Sequence, residues 1–244
     1  MSLKHWWPLR GDFYDRVGGN HLQFPSGYNN GYIVANNGGK FGPCYERTAI
    51  AQADLLRSTH TIKPFAEESI CGWFLVTEYA ALGTANGLVT HHNHTTNSGL
   101  GIGMYSEDGS KYYVSINAGT GSGRIHSDPS YRGTTDIKGA WHHICLTYAA
   151  DGKLRMYVDG KEDMTPRAYS LHNTADYFDL FNWSVGHYTS VSYRPKCKMC
   201  DIRIYDHALS PAEVQELAKG LALHYNFNQL STANVCNWKD PAVL

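Results

Sequence analysis

No run of about 18 apolar residues, the length a bilayer-crossing helix needs, occurs in this 244-residue chain, so no membrane insertion is expected. Charge is scarce: Asp, Glu, Lys and Arg make up 18% of the sequence, and 21 basic against 22 acidic residues leave a formal net charge of −1. Such a balance lacks the positive footprint that phosphate backbones require, which excludes nucleic acid as an expected partner. The opening residues, Met1 to Lys4 followed at once by His5-Trp6-Trp7-Pro8-Leu9, show no basic segment leading into an apolar one, so no secretion signal is read there. Disorder is excluded too, because a 42% apolar share is enough to build a core.

Aromatic residues reach 13%, led by 17 Tyr, and 24 Gly accompany them. Flat and branched side chains suit a pleated surface and glycine suits tight turns, so the composition predicts an all-β protein. Ile70 to Val76 is a short apolar run of buried-strand length, followed by strand-like segments at Gly87–His92, Gly99–Tyr105 and Lys111–Asn117. Tyr112, Val114 and Ile116 share one face of the last, and Asp108-Gly109 ahead of it reads as a two-residue hairpin turn. Further on, Ile144, Leu146 and Tyr148 alternate along one strand and Leu154, Met156 and Val158 along the next. Turns are expected at Asp151-Gly152 and Asp159-Gly160, which makes an antiparallel meander. Asp201 to Asp206 adds a strand with Ile202 and Ile204 on one face. A single helix is predicted, where Ser210-Pro211-Ala212-Glu213 supplies an N-cap, a proline at the first turn and a capping-box glutamate, with Gly220 as its stop.

Six cysteines (Cys44, Cys71, Cys145, Cys197, Cys200 and Cys236) read as buried free thiols, Cys71 and Cys145 lying inside apolar strands. Cys197-Lys198-Met199-Cys200 has zinc or redox spacing but no second pair, and is read as strand. Thirteen His would carry the chain from −1 to strongly positive on acidification, which suggests acid sensitivity. Within His91-His92-Asn93-His94, His92 and His94 share a strand face and are candidate ligand-binding residues; adjacent imidazoles alone do not complete a tetrahedral site, so no metal is assigned. Leu223-His224-Tyr225-Asn226-Phe227 weakly echoes His5 to Leu9. Residues 1–219 are therefore expected to form one domain, with 220–244 either an extra strand of it or the first strand of a second copy.

Seven pieces in order are similar to one family: Trp7-Pro8-Leu9 with Gly11-Asp12 and Asp15, the strand around Trp73, Trp141-His142-His143-Ile144 through Tyr148, Leu154 to Lys161, Val185-Gly186, Asp201 to Asp206, and Ala208 to Val214. Together they resemble the laminin-G-like, concanavalin A-like jelly-roll domain over residues 5–219. The resemblance implies a two-sheet antiparallel sandwich closed by a short C-terminal helix. It says little about function, because sites vary while the sandwich persists.

Some relatives of this fold cut polysaccharide with carboxylates about 5–10 Å apart on one strand. No Glu-x-Asp-x-x-Glu pattern occurs here, so the chain is read as non-catalytic, with polysaccharide cleavage as a further alternative. The resemblance also raises calcium held by rim loops, for which Asp12, Asp15 and Asp136 are candidates, but no ligand register singles them out and no cofactor is assigned. Sugar recognition needs aromatic faces framed by hydrogen-bonding groups, and Trp183, His187, Tyr188, Tyr193 and Arg194 supply both. The expected function is a recognition module that binds a host-surface glycan as a tail, fibre or head appendage of a phage or similar virion, found in the virion or outside the cell after release. Other assembly subunits are its expected partners. The alternative is a structural spacer in a virion or in a secreted adhesin.

Overall fold

The computed structural model describes residues 2–26, 35–47, 55–79, 85–93, 98–116, 129–170, 174–180 and 195–220. It is an all-β, two-sheet antiparallel jelly-roll sandwich with one short helix near the end of the described chain. The first sheet runs, in spatial order, β13 (Lys161–Glu162), β12 (Lys153–Val158), β11 (Trp141–Tyr148), β6 (Glu68–Glu78), β16 (Lys196–Tyr205), β4 (Gly42–Arg47) and β3 (Ala35–Gly39). In the same sheet β1 (Leu3–Trp7) pairs with β16 and β14 (Arg167–Ala168) pairs with β12. The second sheet runs β10 (Arg132–Asp136), β9 (Tyr113–Ile116), β8 (Ser98–Tyr105), β7 (Ala85–Asn93), β15 (Asp179–Leu180), β5 (Leu56–Ser58) and β2 (Leu22–Gln23). The helix α1 spans Pro211–Ala218.

Alternation decides which side chains meet between the sheets. Leu146 pairs with Met156 and Tyr148 with Leu154 across β11 and β12, and Ile144 with Val158. These aliphatic residues are buried in the main core, where Ile70, Phe74 and Val76 of β6 join them, and Tyr148 packs against it. The intervening residues, Cys71 and Trp73 on β6 and Cys145 on β11, point to the outer face of the same sheet and form separate apolar clusters there. Gly72, between Ile70 and Phe74, faces inward with them, and a Cβ there would collide with Ile202 Cδ1. At Asp201 the backbone adopts φ 57° and the register of β16 against β6 shifts between Cys200 and Arg203. That bulge inserts one residue, so Cys197 and Met199 before it and Ile202 and Ile204 after it all point into the core. The Asp201 carboxylate fixes the bulge by accepting from Trp6 Nε1 at 2.6 Å and from Arg203 Nε and Nη2 at 3.0 and 2.9 Å.

Two turns come out differently. Asp159-Gly160 is a two-residue hairpin with φ 50° and 78°, joining Val158 directly to its cross-strand partner Lys161. Asp108-Gly109 is not: β8 ends at Tyr105 and β9 begins at Tyr113. Ser106 Oγ accepts from Gly109 N at 2.9 Å and Asp108 Oδ1 from Ser110 N at 2.8 Å, and these local bonds hold a longer connection.

Helix α1 has the full capping box, Ser210 accepting from Glu213 N while Glu213 accepts from Ser210 N. It covers the outer face of the first sheet, where Leu209 and Val214 bury against Cys71, Cys145 and Tyr157. Gly160 lies under it, and a Cβ there would sit 3.0 Å from Gln215 Cα while holding a φ of 78°. Gly160→Ala should therefore destabilise the protein by about 1–3 kcal/mol in urea unfolding, from left-handed backbone strain plus overpacking.

Candidate ligand-binding site

Trp183, His187, Tyr188, Tyr193, Arg194 and His94 lie outside the described residues. His92 is placed by its backbone on β7 opposite Gly99, and its side chain lies outside the description. Strand β15 of the second sheet ends at Leu180 and β16 of the first begins at Lys196.

Where the edge strand β10 of one sheet faces the β13–β14 segment of the other, the sandwich opens into a cleft of about 500 Å³. Its walls carry Arg132 and Thr134 on one side and Glu162, Thr165 and Arg167 on the other. Asp163 ties the walls together. Its carboxylate accepts from Thr134 N at 3.1 Å and Thr134 Oγ1 at 3.0 Å, and from Thr135 N at 3.1 Å and Thr135 Oγ1 at 2.6 Å. Gly133 is required for that approach, because a Cβ there would overlap Asp163 Oδ2. Arg167 adds a second tie, Nε donating to Ser130 O at 2.9 Å, and the Arg132 guanidinium lies 3.2 Å over the Tyr105 ring.

Chemically, this is a hydrogen-bonding site. Asp163 is saturated by four donors and is held as a structural acceptor, whereas Glu162 and Thr165 are solvent-exposed. Guanidinium, hydroxyl and carboxylate groups side by side match the alternating donors and acceptors of a polyhydroxylated ligand. Asp159 sits in its hairpin turn and accepts from His143 N at 2.9 Å, while Asp163 ties the two sheets. The sequence pattern does not show the cleft, because the walls come from segments about thirty positions apart that share no periodicity.

The other polar clusters are structural. His91, buried on β7, donates from Nδ1 to Glu68 Oε1 at 3.2 Å and from Nε2 to Ile62 O at 2.9 Å. Burial opposes its charge, but the Glu68 carboxylate outweighs that and raises the imidazole above its ordinary range. Its stabilising contribution is present at low pH and is lost as pH rises through the native value. His5, His142 and His207 likewise lie against Asp15, Asp159 and Asp206 at 2.7, 2.7 and 3.3 Å. Protonation strengthens the His91–Glu68 pair, so this histidine opposes the acid sensitivity expected from histidine number alone.

Asp15 accepts from Trp6 N, Val17 N, Gly18 N and Asn20 N, each at 3.0 Å, and from His5 Nδ1 at 2.7 Å. Asp12 accepts from Tyr14 N and Asp136 from Tyr112 N and Lys138 N. All three of these candidate calcium contributors hold turns, and among the described residues no group of three or more His, Cys, Asp or Glu is arranged to hold a metal ion. Cys197 points into the inter-sheet core and Cys200 into the outer cluster with Cys44 and Trp73, so the Cys-x-x-Cys spacing cannot chelate. No helix among the described residues is long and apolar enough to cross a membrane.

Residues 51–215 match a family model described as the concanavalin A-like lectin/glucanases superfamily. No curated protein sequence matches the chain. Among solved structures, domain 4 of AbnA, a GH43 extracellular arabinanase from Geobacillus stearothermophilus in complex with arabinotriose, superposes with a TM-score of 0.64 at 18% identity, covering 89% of this chain and 98% of that one. The binding domain of Paraclostridial Mosquitocidal Protein 1 gives 0.63 at 15% identity, and the receptor binding domain of botulinum neurotoxin type G gives 0.60 at 14%. They cover 89% and 90% of this chain, which spans 52% and 51% of theirs, about half their length.

Proposed function

Because the chain belongs to the concanavalin A-like lectin/glucanase superfamily, we propose that it is a non-catalytic recognition module that binds a glycan through the cleft between β10 and the β13–β14 segment. One observation carries this reading: an open, polar cleft at the sandwich edge whose buried carboxylate, Asp163, holds structure and leaves the exposed groups to contact a ligand. The neighbours support it, since one is a domain in complex with arabinotriose and two are binding domains of toxins. Trp183, His187, Tyr188, Tyr193 and Arg194, with His92 and His94, are proposed as a second, aromatic contact surface for the same class of ligand. Display on a virion appendage that meets a host surface is proposed on compartment grounds: five buried, unbridged thiols suit folding in a reducing interior before release.

A glycan array followed by calorimetric titration of the best oligosaccharide tests the reading. Saturable binding is expected, weakened roughly 10- to 100-fold by Arg167→Ala, the worth of a hydrogen bond to a charged group. Loss with Trp183→Ala but not with Arg167→Ala would move the site to residues 181–194. No saturable signal would favour a spacer, and release of reducing ends would make the chain an enzyme.

A further inference from the structure

Beneath helix α1, the outer face of the first sheet holds a cluster of reactive groups that ligand recognition does not use. Cys71 on β6 and Cys145 on β11 are direct cross-strand partners, each no more than 1% exposed. Opposed residues in an antiparallel pair have Cα atoms about 4.5–5.5 Å apart, inside the roughly 4.4–6.8 Å span of disulfides. His143 lies two residues before Cys145, on the same face of β11. His143 is 2% exposed, and its Nδ1 has no hydrogen-bond partner. Arg203 is the register partner of Cys71 on β16, and Tyr205 and Tyr157 complete the surround. A second thiol pair, Cys44 and Cys200, lies in the neighbouring cluster with Trp73.

We propose that Cys71 and Cys145 form an oxidisable dithiol that closes to a cross-strand disulfide on exposure to hydrogen peroxide, with Cys71 attacking and Cys145 resolving. The hydrogen bond from Cys145, helped by His143 and Arg203, lowers the Cys71 thiol below its ordinary range, while burial and the same contact raise Cys145. Burial instead holds Cys44 and Cys200 up as inert thiols. The Cys71 sulfur attacks one peroxide oxygen, the O–O bond breaks, and the departing hydroxide takes up a proton as water, leaving a sulfenic acid on Cys71. The Cys145 sulfur then attacks the Cys71 sulfur; the S–O bond breaks and hydroxide leaves with the Cys145 proton as a second water. Two thiols and one peroxide thus give one disulfide and two waters. Access comes through α1, an eight-residue helix too short to be stable by itself, whose opening uncovers the pair to an oxidant little larger than water.

Peptide mapping of the folded full chain after peroxide treatment, with free thiols alkylated under denaturing conditions, tests this. A Cys71–Cys145 bridged peptide, with Cys44, Cys197 and Cys200 still alkylated, is the expected result. Retention of all these thiols, a Cys44–Cys200 bridge formed first, or Cys71 driven to sulfinic acid without bridging would each overturn it. Cys145→Ser should leave Cys71 as a sulfenic acid trapped by dimedone; trapping of Cys145 in Cys71→Ser at an equal rate would overturn the assignment of roles. His143→Gln should slow bridging roughly tenfold by removing a group that favours the thiolate, and an unchanged rate would remove His143 from the proposal.

Discussion

Arg57→Ala should cost about 3–5 kcal/mol in urea unfolding, because it takes a twice-bonded cation away from a buried carboxylate. Arg57 and Asp179 are cross-strand neighbours on β5 and β15, and the guanidinium grips the carboxylate twice, Nε to Oδ1 at 2.7 Å and Nη2 to Oδ2 at 2.6 Å. Their side chains are 10% and 0% exposed, so water cannot replace the lost partner. The thermal midpoint should fall by roughly 10 °C for a chain of this size. Replacing both residues, Arg57→Met with Asp179→Leu, should recover most of the loss, since no charge is then stranded. A single-substitution cost below about 1 kcal/mol would match an exposed pair and contradict the burial.

Asp15→Ala should cost on the order of 3 kcal/mol, since five donors lose their acceptor at once. The intact carboxylate also makes stability depend on acid. Burial alone would raise its pKa, but hydrogen bonds from His5 and from the backbone N–H groups of Trp6, Val17 and Gly18 outweigh that and hold it far below the usual range. Its contribution is therefore complete above the unfolded carboxylate value, near pH 4, and disappears as pH falls toward the native one. Unfolding curves from pH 6 down to pH 2 should show a steeper fall for the parent than for Asp15→Ala. Parallel curves would show that the carboxylate is not ionised against these donors.

What was legible in the residues was local. Alternation over Ile144 to Val158 placed one hairpin and its inward face, and Ser210 to Glu213 placed the helix, because both signals lie within a few positions of each other. Partners far apart in the chain were not legible. No local feature shows that Trp6 bonds to Asp201, or that a bulge there lets Met199 and Ile202, three positions apart, both face the core. Asp108-Gly109 misled for a related reason: Ser106 and Ser110 offered nearer bonds than a tight hairpin would, and these won. The cleft was hidden in the same way, since Gly133 means nothing until Asp163 arrives from the other sheet.

The rim that carries the cleft ends in strands only two residues long, β13 and β14, and they bear Lys161, Glu162 and Arg167. So short and charged a margin gives an incoming chain almost no main-chain ladder to extend. Many copies crowded side by side could keep this border open toward a target without fusing into fibres.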